Sequence, residues 1–505
     1  MKRFEENPYF YPLLLVAATF LTYAGIYDFQ FLYDDEFLIQ KNRFLESFSY
    51  LGDIFTSNST GGAGFKDSFY RPMQTLAYLL VRQIFDGERW AHHLLNVGLH
   101  AANAVLMFTL ARKLGLKARV AALVSALWAV HPLHNEAVTY MSATADPLHA
   151  LFLLSGLVVA APAFTGGRLA IAMGFFILGL LSKESAIVFP ALLFTLCYFF
   201  SQRSWHWRAY LPTVPFWLVA LGYFISRRTW LNISDQMYTA SNVYTENILF
   251  RVYTFLATIP GYIELTVWPH DLHMDRQFSV YVNLLLPPVL MGLAAVLVLI
   301  ALGWWSRWWA WVGLWLLAAH VPQSGILIPV NSFFLEHWMY VPLIGVFIGL
   351  GKAFEKYAAD RRPWTYAVGV AACVALAIAT FRQNGVWATP VSFFSHILRY
   401  NPDADRVRHN LAMALSDQGM DDQALVEYQK VVQRTQQYAE PYHNMGRIYA
   451  KRGQIELAEQ NYLKAIQISA DFFPAYAELA QLYARKGDMQ KALEYKAKYD
   501  QLTRR

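Results

Sequence analysis

Three consecutive carboxylates, Asp34, Asp35 and Glu36, follow Tyr33. Like charges crowded on neighbouring residues raise one another's pKa, which suits a general base or a divalent-cation site such as Mg or Mn at Asp34 and Asp35. An ordinary solvated acidic loop has the same composition. Next comes Phe69-Tyr70-Arg71-Pro72, entering a predicted helix. Its arginine suits a bidentate phosphate contact or a snorkelling anchor at a membrane surface. His93, Asn96 and His100 then fall on one helical face at steps of three and four. The run His131-Pro132-Leu133-His134-Asn135-Glu136 offers two histidines and a glutamate, but its spacing across a proline is not a specific zinc pattern. Asp146-Pro147 and Ser182-Lys183-Glu184 follow, with Lys183 and Glu184 expected to pair with each other. The last clusters are His270 to Arg276 and Glu336-His337-Trp338-Met339-Tyr340-Val341-Pro342.

These residues must be positioned by apolar helices. A span needs about 20 apolar residues, and uncharged stretches of that order recur at 10–27, 147–167, 209–226, 277–306, 308–335 and 363–381. Shorter ones at 94–111, 120–130, 169–182, 185–200 and 338–351 become spans when flanking polar residues are added, giving about eleven. The first has a charged leader but no small-residue cleavage end, so it reads as a retained span. Short basic loops set orientation. Arg112, Lys113, Lys117 and Arg119 form one, Arg203 and Arg208 another, and Lys352, Lys356, Arg361 and Arg362 a third. With these cytoplasmic, eleven spans place the C-terminal segment outside. Arg227, Arg228 and Arg251 go against this orientation, and 250–268 must then lie at the interface or re-enter. About 18 of about 22 acidic residues before position 400 fall on the outer side, together with the polar clusters.

The end of the chain repeats itself. Gly419, Gly453 and Gly487 are spaced by 34, as are Ala424, Ala458 and Ala492, and as are Leu411, Met445 and Leu479 with a small residue after each. That period, with small residues where paired helices touch, is the tetratricopeptide signature. Three such repeats make either a structural cap or a concave surface for a peptide or protein.

Composition agrees. Hydrophobic residues make up 56% and charged residues only 15% of the 505 residues. Charges are about 28% of the chain after Asn401 and about 12% before it, which marks a boundary between a membrane-like part at 1–390 and a soluble-like part at 391–505. The net charge of +6 resides partly in span-orienting loops, so nucleic acid is a poor partner. Cys197 and Cys373 both lie in apolar runs and read as packing residues. The fold class is therefore all-α, a polytopic membrane helix bundle followed by a tetratricopeptide domain. Asn58-Ser59-Thr60 and Asn232-Ile233-Ser234 match glycosylation triplets on outer loops, a pattern that also arises by chance.

The order Tyr33-Asp34-Asp35, Tyr70-Arg71-Pro72, His93 to Asn96 with His100, His131 to Val138, Ala145-Asp146, Leu181 to Glu184, Glu336 to Pro342, then tetratricopeptide repeats resembles the transmembrane-and-tetratricopeptide-repeat family. The resemblance covers nearly the whole chain and implies a GT-C-like glycosyltransferase. It implies inverting transfer of a sugar from a polyprenyl-phosphate donor to an acceptor, expected to be a protein hydroxyl, on the outer face. No nucleotide-binding glycine loop stands out, which fits a donor already embedded in the bilayer. Asp34 or Asp35 would be the general base or help position a cation, no cofactor being certain. Arg71, His93 and Lys183 would contact the donor phosphate. Glu36, Tyr70, Asn96, His131, His134, Glu136, Asp146, Glu184, Arg276, Glu336 and His337 complete the candidate donor and acceptor site. The tetratricopeptide domain would hold the acceptor. One departure is Glu336-His337, where the family often reads Glu-Arg; either protonated His337 or Arg276 would then serve. The short repeat array suggests a bacterial relative, in the inner membrane with a periplasmic C-terminal domain; the fallback is the endoplasmic reticulum membrane with a lumenal C-terminus. The competing functions are a non-catalytic scaffold presenting the repeats and a lipid-sugar transporter. The sugar and the final acceptor are not legible.

Overall fold

The computed structural model describes residues 7–65, 67–161, 165–200, 210–231, 242–359 and 364–503, and among them there are helices and turns but no strand. Arg203, Arg208, Arg361, Arg362 and the triplet at Asn232 lie outside the described residues. The chain divides into two compact units, Met1–Ala388 and Thr389–Arg505.

The first unit is a bundle of apolar helices, and the protein is a membrane protein. Among the described residues, five helices are long and apolar enough to cross a bilayer: Arg89–Lys113, Met141–Ala160, Ile248–Val267, Pro287–Trp305 and Trp364–Trp387. Others in the bundle, such as Phe10–Thr22, Ala118–Ala129, Gly166–Leu180 and Glu184–Phe200, are apolar but shorter than a crossing needs. A count of eleven spans is therefore not what helix length shows. The long uncharged stretches are also trimmed at their ends. In 277–306 only Pro287–Trp305 is helical, and in 308–335 the helix Arg307–His320 gives way to a turn at Val321–Gln323. Proline explains both limits: Pro287 starts a helix as its missing N–H goes unneeded there, and Pro322 leaves the helix before it without a continuation. The stretch 250–268 is a continuous helix by itself. Rather than an interfacial or re-entrant segment, it is long and apolar enough to cross, and its C-terminal end is tied to a polar cluster. Tyr244, just before it, packs edge-on to Phe333 at 4.7 Å, and the Thr266 carbonyl accepts from His131.

Close helix approach depends on glycine at a few places. A Cβ on Gly345 would lie 2.3 Å from Trp315, and one on Gly349 would lie 2.3 Å from Val312, so Arg307–His320 seats directly on Pro342–Phe354. In a bilayer, where apolar side chains gain little from leaving lipid, such small-residue contacts carry the packing. Trp128, Trp311 and Trp315 fill the buried centre.

The bundle has two chemically different ends. At one, Lys113 donates to the Val158 and Ala161 carbonyls, Lys352 pairs with Glu355, and Arg307 donates to the Phe199 carbonyl. At the other lie the polar clusters.

The second unit stacks three helix pairs: Asp405–Asp417 with Asp421–Arg434, Ala439–Lys451 with Ile455–Ile468, and Phe473–Arg485 with Met489–Thr503. Pro390–Tyr400 precedes them. Gly419, Gly453 and Gly487 sit in the three intra-pair turns at φ of 78°, 74° and 81°. Any other residue would pay for that left-handed backbone.

Candidate functional site

The first acidic cluster is split by the fold. After Phe10–Thr22 the chain turns at Leu32–Asp35, and the Asp35 carboxylate closes that turn by accepting the Leu32 N–H at 2.7 Å. Its other oxygen accepts the Ser142 hydroxyl, and the side chain is fully buried. Burial pushes the Asp35 carboxyl up to about 7; the Ser142 and Leu32 hydrogen bonds pull against that, and the neighbouring Asp34 charge adds to it. Asp34 is exposed, and its backbone N–H donates to the Tyr140 hydroxyl at 2.9 Å. Glu36 turns away into an ion pair with Lys41 in which both side chains are well exposed. The three carboxylates thus do not converge. Both Asp35 oxygens are engaged by protein donors, the Leu32 N–H and the Ser142 hydroxyl.

The Tyr70-Arg71 element meets the Lys183-Glu184 element. The Tyr70 N–H donates to Glu184 at 3.2 Å, and the Arg71 Nε and Nη2 reach the other Glu184 oxygen at 3.3 and 3.2 Å. The Arg71 guanidinium also lies 4.3 Å from the Phe69 ring centre. Lys183 pairs with Asp146 at 2.6 Å rather than with Glu184. The reason is backbone geometry: Lys183 is extended, with φ −158° and ψ 140°, so adjacent side chains project to opposite sides. Arg227 reaches the Glu184 carboxylate at 4.0 Å and donates to the Ser68 carbonyl. Of the three arginines that go against the orientation rule, Arg227 is part of this cluster.

The third pair joins Glu136 to His337. His337 Nδ1 lies 2.9 Å from one Glu136 oxygen, and the His337 backbone N–H donates to the other at 3.0 Å. Burial pushes the Glu136 carboxyl up, but His337 more than compensates and holds it below the usual range. Beside it, Glu336 accepts from Arg276 at 3.0 Å and from the His273 N–H at 2.9 Å. Here burial wins: the Glu336 carboxyl is pushed up to about 8 despite Arg276, with Glu136 adding to the rise.

The histidines divide by role. His100 donates from Nε2 to the Ala129 carbonyl at 2.8 Å and accepts the Tyr340 hydroxyl at 2.7 Å through Nδ1, so both ring nitrogens are consumed by the bundle. His131 is likewise used, donating to Thr266 and accepting from Leu133. His134 is fully buried among Trp128, Tyr340 and His100, and burial holds it neutral, with its pKa well below the usual value. His93 is buried edge-on to Phe29. Asn96 donates to the Tyr140 carbonyl at 3.0 Å and accepts from Thr144 at 2.6 Å, fixing the loop that carries Tyr140 and Ser142. Among the described residues no three His, Cys, Asp or Glu side chains are grouped to hold a metal. Ser59 of the described glycosylation triplet is buried.

Residues far apart in sequence are thus joined at one end of the bundle by short polar contacts, with cations and carboxylates in alternation. Tyr140, Ser142 and Arg227 belong to the arrangement although their residue types gave no signal. In sequence, only the misfit of Arg227 with the orientation rule could have pointed to it.

A protein O-mannosyl-transferase of Caenorhabditis elegans is 23% identical over 447 residues, covering 85% of this chain and 63% of its own length. The chain is a homologue of the transmembrane-and-tetratricopeptide-repeat proteins. Protein O-mannosyl-transferase TMTC4 of Homo sapiens is 29% identical over 29% of this chain and 22% of its own length. Protein O-mannosyl-transferase tmtc2 of Xenopus laevis is 33% identical over 29% of this chain and 18% of its own. This homologue therefore spans less than two thirds of the relatives it matches. Its C-terminal unit matches the family model for the TPR repeat at residues 446–487.

Proposed function

We propose that the chain is a membrane glycosyltransferase that moves a sugar from a polyprenyl-phosphate donor to a protein hydroxyl. The observation that carries this reading is the division of labour in the acidic pair. Asp35 is buried as a structural acceptor, which leaves Asp34 as the exposed carboxylate of the two, while Arg71–Glu184, Lys183–Asp146, His337–Glu136 and Arg276–Glu336 pair basic with acidic side chains elsewhere in the same unit. Relatives named as protein O-mannosyl-transferases support the same chemistry.

In this mechanism Asp34 takes the proton of the acceptor hydroxyl as that oxygen attacks the anomeric carbon. The bond from that carbon to the phosphate oxygen breaks, and the lipid phosphate leaves with the electron pair. Attack opposite the leaving group inverts the anomeric centre, and a GT-C-like bundle suits a donor that enters from the lipid. Arg71 and Lys183 stabilise the charge growing on the phosphate, held in place beforehand by their carboxylates. His337 or Arg276 takes the part of the arginine that relatives often carry. We place the polar end outside the membrane, in a bacterial inner membrane with the repeats periplasmic, where they hold the acceptor. A scaffold that only presents the repeats leaves these buried ion pairs without a purpose, and the comparisons do not favour it. The direct test is transfer from synthetic polyprenyl-phosphate sugars to acceptor peptides by the purified chain in lipid. Product formation lost in Asp34→Asn supports the reading, and no transfer with any donor contradicts it.

A further inference from the structure

Arg227 has no part in the mechanism above. It sits near the end of the helix Val214–Thr229 and goes against the orientation rule. A cation kept on an apolar helix against that rule points to a function. Its neighbour Arg228 shows the ordinary alternative: that side chain is exposed and lies 4.4 Å from the Phe224 ring centre on its own helix. Arg227 turns to other elements. It donates to the Ser68 carbonyl and stands 4.0 Å from Glu184 Oε1, while Arg71 holds Glu184 Oε2 through Nε and Nη2. One carboxylate thus sits between two guanidiniums.

A lone carboxylate facing Arg71 would orient it but also cancel its charge, and an anion would then gain little. Arg227 supplies the missing charge. Two cations against one carboxylate leave the group of three with a net positive charge. Arg71 Nη1 makes no hydrogen bond among the described residues, so it can donate to a ligand while Nε and Nη2 stay on Glu184. Asp67, whose charge also acts on Arg71, is engaged in its own loop by the Ser59 hydroxyl at 2.8 Å and the Phe69 N–H at 3.1 Å. The side chains of Arg71, Arg227 and Glu184 remain 16%, 19% and 20% exposed, so a ligand meets them at the surface and needs no internal cavity. One turn before Arg227, the Tyr223 hydroxyl is buried without a hydrogen-bond partner among the described residues, and the charges of Glu184, Arg227 and Arg71 act on it. A donor left so costs free energy unless an acceptor arrives. A phosphate brings both the negative charge and the acceptor oxygens.

We infer that Arg227 is a positioning residue for the donor phosphate, offsetting Glu184 so that Arg71 is held in place and still attracts an anion; this rests on the transferase reading. Calorimetric titration of farnesyl phosphate into the full chain in phosphatidylcholine nanodiscs tests it, with farnesol and inorganic phosphate as further probes. In Arg227→Gln the Kd for farnesyl phosphate should rise about tenfold, the worth of one charge-assisted contact. Arg227→Lys keeps the charge and Arg228→Gln leaves the group untouched, so both should bind like the parent. The decisive arm is Arg227→Gln combined with Glu184→Gln. It removes the carboxylate that Arg227 offsets, keeps an acceptor for the Tyr70 N–H, and should restore binding to the parent's level. Glu184 keeps Arg71 in Arg227→Gln, so no buried carboxylate is stranded and the chain should fold; if it does not, the double variant decides alone. Farnesol should respond to none of these changes, and inorganic phosphate should bind more weakly than farnesyl phosphate. No binding of farnesyl phosphate by the parent, an unchanged Kd in Arg227→Gln, a loss that persists in the double variant, or a loss shared by farnesol overturns the role of Arg227. Equal affinity for inorganic phosphate makes this a site for the free ion and overturns the donor assignment. Failure in a chain that transfers sugar overturns the role of Arg227 alone. Binding that follows the charges in a chain that transfers nothing overturns the transferase reading alone.

Discussion

Lys183 Nζ lies 2.6 Å from Asp146 Oδ1, and both side chains are more than nine-tenths buried. Lys183 comes from the turn after Gly166–Leu180 and Asp146 from the first turn of Ala145–Ala160, so the contact fastens two neighbouring helices at their polar end. Burying such a pair is costly in stability, and removing one partner costs more than removing both. Lys183→Met should destabilise the chain by about 3–5 kcal/mol, whereas Lys183→Met with Asp146→Leu should recover most of that loss. Thermal unfolding in detergent measures both, and the double variant should remain inactive.

His337 is the second test of the network. His337→Ala leaves the Glu136 carboxyl buried without its imidazole partner and should cost about 3–5 kcal/mol, on the scale of other broken buried pairs. His337→Arg supplies a permanent cation to Glu136 and should regain stability. Because His337 holds the Glu136 carboxyl below its usual range, that pair stabilises above the unfolded glutamate pKa and fails as pH falls through the folded one. Melting curves from neutral to acid pH should therefore show a steeper acid loss in the parent than in His337→Ala.

Asp35 has the opposite sign. Its folded pKa of about 7 lies above the usual 3.8, so the folded state holds a proton that the unfolded state gives up between those values. Stability contributed by this residue is thus fully present at low pH and declines as pH rises towards 7. Asp35→Asn keeps an acceptor for the Leu32 N–H and cannot ionise. The difference in melting temperature between this variant and the parent should grow from about pH 4 to about pH 7 and then level off.

Much of this was legible in sequence, and the failures are instructive. Helical composition, the 34-residue period at Gly419, Gly453 and Gly487, and the motif order all follow from short-range pattern. Lys183 and Glu184 were expected to pair because they are adjacent, yet an extended backbone sends neighbours apart and each finds a distant partner. The carboxylates of Asp34, Asp35 and Glu36 look equivalent in the chain. Only the turn at Leu32 and the arrival of Ser142 from 107 residues away distinguish them. His131 and His100 look like ligands until backbone carbonyls claim their nitrogens. Span number fails for a different reason, since polar loop ends and prolines shorten several helices below a full crossing.

The repeat unit gives an independent check. A Cβ on Gly446 would approach the Tyr462 ring to 2.6 Å, where the equivalent positions carry Ala412 and Ala480. Gly446→Val should overpack that contact and cost about 1–3 kcal/mol. Limited proteolysis of the full chain should show faster cleavage within 405–503 and unchanged fragments from the first unit.

The central claim is that Asp34, and not its neighbour, is the base. Mass spectrometry of glycoproteins from cells lacking the chain, complemented with the parent, Asp34→Asn or Asp35→Asn, tests it most directly. The account predicts that one sugar modification disappears without the chain, returns with the parent, stays absent with Asp34→Asn, and returns at least in part with Asp35→Asn. A glycan inventory restored in full by Asp34→Asn would contradict it.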